Sequence, residues 1–208
     1  MWNSGRVFDH VTVRAADRDA SQRFYQTVLS TLGGGWGEFR LWQATAEQPL
    51  TRRLHLGFRA PSRAHVDEFW RAGTAAGYRD DGAPGPRPEY GGDYYGGFLL
   101  DPDGNSAEAV HHGEPRTGAI DHLWIRVADV AASKRFYESI AAEAGIRLDA
   151  DLPERAQFVG EGGSLSLVTG TPTEHAHMGF TGSGRTVLDP DGNRVELGAG
   201  RAGRRRRR

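Results

Sequence analysis

Leu99-Leu-Asp-Pro-Asp-Gly-Asn-Ser-Ala-Glu108 recurs, almost unchanged, as Val187-Leu-Asp-Pro-Asp-Gly-Asn-Arg-Val-Glu196. Apolar residues lead into each copy, and Asp-Pro-Asp-Gly-Asn then supplies turn chemistry. Proline fixes φ, Asp and Asn bond their own backbone, and Gly accepts a positive φ. Each copy therefore reads as a strand, a tight turn and a second strand inside a sheet. Ala107 and Ala109 flank Glu108, as Val195 and Leu197 flank Glu196. Side chains alternate along a strand, so each carboxylate faces away from its apolar neighbours.

Outward from these turns the chain repeats itself. Phe8-Asp-His-Val-Thr-Val-Arg and its continuation to Arg23-Phe24-Tyr25 match Ile120-Asp-His-Leu-Trp-Ile-Arg and its continuation to Arg135-Phe136-Tyr137, at an offset of 112 residues. Leu54-His-Leu-Gly-Phe58 matches Ala176-His-Met-Gly-Phe180, and the turns repeat at an offset of 88. The chain reads as two homologous units in tandem: residues 1–113, complete, and residues 114–200, shortened, with Gly113 to Gly118 linking them and an unstructured arginine tail at 201–208.

Unit 1 opens with a strand over about Val7 to Ala15, with His10, Thr12 and Arg14 on one face. A helix capped by Asp17 or Asp19 carries the stripe Ala20, Phe24, Val28, Leu32 and ends at Gly33-Gly-Gly. Strands follow near Glu38–Ala44 and at Leu54–Arg59, then a helix from Ser62 to Gly77, a Gly/Pro-rich loop from Asp80 to Gly92 with Tyr90, and the hairpin that holds Glu108. Unit 2 repeats the first half: strand Ile120–Val127, helix Asp129 to Ala144, and strands near Gln157–Val159 and Ser164–Val168. Between His177 and Asp189 it is short, so the second helix and the tyrosine loop are missing and a Thr181–Arg185 turn replaces them.

Composition bounds the chemistry. The 208 residues contain no cysteine, which excludes disulfides and thiol catalysis. No leader-like start and no membrane-length apolar run is present, which points to the cytoplasm. The net charge of −1 hides six arginines in residues 201–208; the remainder carries 20 basic and 27 acidic residues, a net of −7. An acidic body argues against a nucleic-acid surface, although the tail alone could contact phosphate.

His10, His55 and Glu108 in unit 1, and His122, His177 and Glu196 in unit 2, each sit mid-strand between residues that face the other way. A lone strand histidine is usually a hydrogen-bonded core residue. Three aligned polar groups repeated twice call for a shared partner, because a buried unpaired carboxylate costs several kcal/mol, roughly. Two imidazoles and a carboxylate on a concave sheet face suit a divalent metal with positions open to substrate.

The residues Asp9-His10-Val11, Arg23-Phe24-Tyr25, Leu54-His-Leu-Gly-Phe-Arg-Ala-Pro61 and Leu100-Asp-Pro-Asp-Gly-Asn105 with Glu108, and their unit 2 copies, resemble the vicinal oxygen chelate superfamily. It includes glyoxalase I, fosfomycin and bleomycin resistance proteins and extradiol dioxygenases. The resemblance covers all but the arginine tail. It implies an α+β fold of paired βαβββ modules, two per unit, in cupped mixed sheets around a metal. By position it implies ligands His10, His55 and Glu108 in unit 1, with His122, His177 and Glu196 as a weaker set in unit 2. Zn²⁺, Fe²⁺, Mn²⁺ or Ni²⁺ would fit such donors.

Glyoxalase I usually adds an acidic ligand on the strand corresponding to Glu38–Ala44, whose middle here is Phe39-Arg-Leu-Trp42. Extradiol dioxygenases usually carry Tyr where Phe98 stands. Tyr94 and Tyr95 are the candidate catalytic hydroxyls in their place. The resemblance thus implies a metal-dependent lyase, isomerase or dioxygenase acting on a small molecule. The alternative is a metal-free cup that sequesters a small molecule such as an antibiotic, with Trp36, Trp42 and Trp124 near it. Tandem units allow a monomer paired within one chain, or a homodimer. His111 and His112 read as a solvated pair at a strand end.

Overall fold

The computed structural model describes residues 6–33, 37–113, 118–180 and 183–199. Trp36, the middle of the expected linker, the start of the expected Thr181–Arg185 turn and the arginine tail lie outside these residues.

In chain order the elements are β1 (Phe8–Ala15), α1 (Arg18–Leu29), β2 (Phe39–Gln43), β3 (His55–Arg59), α2 (Arg63–Ala75), β4 (Arg79–Pro86), β5 (Tyr95–Leu100) and β6 (Ser106–His111). They continue as β7 (Ile120–Val127), α3 (Val130–Ala144), β8 (Ile146–Leu152), β9 (Arg155–Gly160), β10 (Gly163–Thr169), β11 (His177–Phe180), β12 (Ser183–Leu188) and β13 (Arg194–Ala199). Among the described residues they form an eight-stranded sheet, β4-β5-β6-β3-β7-β10-β9-β8, and a five-stranded sheet, β12-β13-β11-β1-β2.

This order resolves into four modules. β3-α2-β4-β5-β6 and β7-α3-β8-β9-β10 are complete βαβββ units that meet along the antiparallel pair β3·β7. β1-α1-β2 keeps only the first and last strands, which pair in parallel, and β11-β12-β13 lacks the helix and one strand. These two reduced modules meet along β1·β11. The eight-stranded sheet therefore takes four strands from residues 1–113 and four from residues 114–200, the five-stranded sheet takes two and three, and neither tandem unit closes a cup from its own strands.

Two differences from the sequence reading have local causes. The expected loop at Asp80–Gly92 begins as strand β4, which pairs only with β5 at the sheet edge and shifts register at Gly82. An edge tolerates Pro84 and Pro86 because one side of the strand needs no ladder hydrogen bonds. β8 and β12 are likewise edge strands whose mixed polar sequences hide them, and β12 continues through residues expected to turn.

The repeated motifs are the pins that set these elements. Asp101 Oδ1 accepts from the backbone of Asp103 at 2.9 Å and of Asn105 at 2.8 Å, and its Oδ2 accepts from the Tyr25 hydroxyl at 3.0 Å. Asn105 Oδ1 in turn accepts from the Leu54 backbone at 3.1 Å, just before His55. The second copy repeats the pattern: Asp189 holds Asp191 and Asn193, Tyr137 donates to Asp189 at 3.2 Å, and Asn193 Oδ1 accepts from the Ala176 backbone at 2.9 Å, just before His177. Gly104 and Gly192 take φ of +86° and +83° in these turns. The Arg-Phe-Tyr and Asp-Pro-Asp-Gly-Asn motifs thus form one device that places a strand histidine.

Beneath both sheets lies one apolar core. Phe58 of the eight-stranded sheet and Phe39 of the five-stranded sheet stand 5.5 Å apart between ring centroids, and Tyr25 of α1 packs on both. Buried Glu38 ties the sheets at their ends, accepting from the backbone of Ala119 and Ile120 at 2.9 and 3.0 Å and from Arg6 at 2.8 Å. No helix of the described residues is long and apolar enough to cross a membrane.

Candidate metal centre

The six residues singled out from the sequence gather into two groups: His55, His122 and Glu108, and His10, His177 and Glu196. This corrects the grouping by tandem unit. His10 stands on β1, which pairs with β11, so its partners are His177 and Glu196; His55 and Glu108 receive His122 across β3·β7.

In the first group the donors form a tight triangle. His55 Nε2 lies 3.0 Å from Glu108 Oε2, His122 Nε2 lies 3.1 Å from the same oxygen, and the two Nε2 atoms are 3.1 Å apart. Ligands at right angles on an ion with bonds of ~2.1 Å stand ~3.0 Å apart, against ~3.4 Å for a tetrahedral pair. The rings stack at 17°. Glycines make the approach possible: a Cβ on Gly57, opposite His122, would meet its ring at 2.3 Å, and one on Gly96 would meet Glu108 Oε1 at 2.3 Å. The Gly of the His-Leu-Gly-Phe motif is thus room for the other module's histidine.

What stands behind each ring decides its tautomer. His122 Nδ1 faces Asp121 Oδ2 at 3.0 Å; a carboxylate only accepts, so Nδ1 carries a proton. His55 Nδ1 faces Ser106 Oγ at 3.1 Å, and Ser106 gives its own proton to Asp81 at 2.7 Å, so Nδ1 again donates. Both Nε2 atoms therefore point inward as the nitrogens that could hold a metal, with the outer partners that ligating histidines ordinarily have. Asp121 is held by His112 at 2.9 Å and by Arg59 at 3.3 Å. His112 is thus part of the site's support, not a solvated residue. Tyr94 donates to Glu108 Oε1 at 2.7 Å and leaves Oε2 for the centre. Tyr95 bonds Asp67 on α2 at 2.8 Å and takes no part.

Burial alone would lower the His122 pKa, but the Glu108 charge and the hydrogen bonds of Asp121 and Glu108 outweigh it and raise it to about 9. Burial would likewise raise Glu108, yet the two histidines hold it at about 2. Burial pushes His55 below its usual range and Tyr94 far above. In the metal-free site one proton on His122 Nε2 thus occupies the place a cation would take.

The second group is built differently. His10 Nδ1 faces Asp9 at 3.0 Å, as His122 faces Asp121. His177 Nδ1, however, faces Arg14 Nη2 at 3.3 Å, and a guanidinium only donates. The proton of neutral His177 is then on Nε2, where it donates to Glu196 Oε1 at 3.0 Å. Arg194 stands where the first site has Ser106, and takes the same Glu196 oxygen at 2.8–2.9 Å. Burial, then His10 and Arg14, push His177 down to about 4 against the pull of Glu196. These donors satisfy one another and do not fit a cation as they stand.

The fourth, acidic ligand was sought on the Glu38–Ala44 strand, but β2 belongs to the five-stranded sheet. The antiparallel pairing of β3 and β7 interchanges His55 with His122, and so Glu108, beside Gly57, with Ser166, beside Trp124. The fourth position of the first site is therefore a serine, whose Oγ is buried without a partner.

A cavity of about 640 Å³ opens on the first site and is lined by Tyr90, Tyr94, His112, His122, Trp124 and Arg155 among others. A second, of about 240 Å³, reaches His55 and Glu108 and shares Tyr90, Tyr94 and Trp124 with the first. Trp42 is 59% exposed on β2 and lines neither. Asp81, Ser106, Asp121, His112 and Arg155 were missed from the sequence. The Asp-His pair, present in both first strands, was the available signal for Asp121.

No family model and no curated protein matches the sequence. Among solved structures, glyoxalase I from Zea mays is similar over 90% of each chain, at 16% identity and a TM-score of 0.62. A glyoxalase/bleomycin resistance protein from Albidiferax ferrireducens T118 is 33% identical over 51% of this chain and 99% of its own, with a TM-score of 0.46. Lactoylglutathione lyase from Agrobacterium tumefaciens is 24% identical over 48% of this chain and 88% of its own, with a TM-score of 0.37. In its fold, with complete and reduced βαβββ modules paired around His/His/Glu groups, the chain is similar to glyoxalase I from Zea mays.

Proposed function

We propose that this protein is a divalent-metal-dependent enzyme acting on a small molecule with two adjacent oxygens, as a lyase, isomerase or dioxygenase, with one working centre at His55, His122 and Glu108. The observation that carries the proposal is the 3.0–3.1 Å triangle of donors, each held from behind so that its lone pair points inward. A bound divalent ion would act there as a Lewis acid on the two oxygens and stabilise negative charge building on them.

The chain's own residues supply the rest. Asp121 and Ser106 fix the ring orientations, and Tyr94 fixes the carboxylate. Burial and the Glu108 charge keep the Tyr94 hydroxyl protonated, so it serves as a hydrogen-bond donor and not as a base. Tyr90 and Trp124 wall the mouth and limit the water that reaches the reacting oxygens. The complete modules meet within one chain, which supports a monomer as the functional unit.

A second reading, a metal-free binding cup, draws on the His122 proton, which satisfies the triangle without a metal. Tropolone, whose adjacent oxygens chelate open metal positions, separates the two readings. Titrated into chelator-treated protein before and after loading with Zn²⁺, Mn²⁺, Fe²⁺ or Ni²⁺, it is expected to bind the loaded protein alone, and not His55→Ala. Equal binding with and without metal would favour the cup.

A further inference from the structure

Arg155 on β9 is the one guanidinium in the larger cavity without an acceptor among the described residues. Its carbon sits 5.2 Å from the centroid of the Trp124 ring, and its Nε is buried with no hydrogen-bond partner. The other charges there are matched: Arg147 pairs with Asp149 at 2.8 Å, and Asp121 is shared by His112, His122 and Arg59. Guanidinium does not lose its charge at accessible pH, so the unmet donor is not relieved by deprotonation. An unsatisfied buried donor of this kind costs about 1–3 kcal/mol, and an anion that reaches it removes that cost.

The route from Arg155 to the triad is short and aromatic. Trp124 carries Arg155 on one side, and its ring centroid lies 6.3 Å from that of His122. Tyr90 stands edge-on to Trp124 at 5.3 Å. We propose that Arg155 anchors a carboxylate of the ligand, which is a small planar anion: a carboxylate on an unsaturated or aromatic body that Tyr90 and Trp124 contact, with its adjacent oxygens toward His55, His122 and Glu108. The placement of those oxygens rests on the function proposed above; the anchoring by Arg155 does not.

The test uses benzoate and benzamide, which share shape and differ in charge, titrated into chelator-treated full-length protein by calorimetry. A charge-assisted hydrogen bond contributes about 1.5–3 kcal/mol, so benzoate is expected to bind at least ~10-fold tighter than benzamide. Arg155→Met keeps an apolar stem over Trp124 and is expected to erase the preference. Arg155→Lys keeps the charge without the fork and is expected to reduce it several-fold. Equal affinities in the unsubstituted protein, or a preference that survives Arg155→Met with an unchanged melt, would overturn the proposal. Repeating the titration with 3,4-dihydroxybenzoate on metal-free and Zn²⁺-loaded protein separates the two claims: a gain on loading reads chelation, and the benzoate preference reads Arg155.

Discussion

Gly57→Ala isolates the geometry on which the proposed metal centre depends. A Cβ at residue 57 would stand 2.3 Å from His122 Cε1, 2.5 Å from Nδ1 and 2.7 Å from Nε2, where ordinary contacts begin near 3.4 Å. The ring must withdraw by about 1 Å. It cannot do so and keep its bonds to Asp121, His55 and Glu108 at 3.0–3.1 Å. Backbone geometry does not oppose the change, because Gly57 is not among the positive-φ residues. Alanine in a strand gains about 0.5–1 kcal/mol over glycine, and overpacking costs about 1–3 kcal/mol, so the net destabilisation is about 0–2.5 kcal/mol. Metal affinity should fall far more, by at least ~100-fold, since even outer partners of a ligand contribute 10–100-fold. Gly179→Ala is the matched control: its Cβ would meet the His10 ring at 2.4 Å in the second group, with a similar stability cost and no loss of metal. Competition of Zn²⁺ against a chromogenic chelator, with a thermal melt of each variant, reads both quantities. Gly57→Ala binding metal as tightly as the unsubstituted protein would refute the reasoning.

Tyr94→Phe removes the 2.7 Å bond to Glu108 and should lower metal affinity 10–100-fold, whereas Tyr95→Phe, which loses a bond to Asp67, should leave it unchanged; the same competition assay reads both. His122 is raised to about 9 in the metal-free protein, so its contribution to stability is full below about pH 6.5 and is lost as pH rises through 9; chemical denaturation of metal-free protein across this range should show that decline. The same proton must leave for a cation to bind, so Zn²⁺ affinity should increase with pH up to about 9, and a flat profile would contradict a His122 ligand. Arg14→Ala with Arg194→Ser frees His177 Nδ1 and the Glu196 oxygen, and should create a second, weaker Zn²⁺ equivalent detectable by calorimetry.

The six candidate ligands were legible because alternation, spacing and duplication all mark mid-strand polar residues. Their grouping was not. His10 and His177 lie 167 residues apart yet are partners, and no local signal records that β1 lies beside β11. Module completeness did hold the information. The stretches too short for all their strands are at the two ends of the chain, between Leu32 and Phe39 and between His177 and Asp189, and a reduced module matches only another reduced one. The complete modules, contiguous from His55 to Thr169, then pair with each other. Edge strands β4 and β8 escaped because an edge accepts Pro, Gly and charge that an inner strand would not. Arg155 could not be read at all, since its meaning lies in a contact with Trp124 across two strand pairings.

The central claim, one working centre shared between the two halves of the chain, is tested most directly by elemental analysis of protein purified without chelator, alongside His10→Ala, His55→Ala, His122→Ala and His177→Ala. About one divalent metal per chain, lost with His55→Ala and with His122→Ala but kept with His177→Ala, is the expected result. Metal kept in His122→Ala and lost in His10→Ala would restore the grouping by tandem unit, and no metal after reconstitution would remove the metal centre altogether.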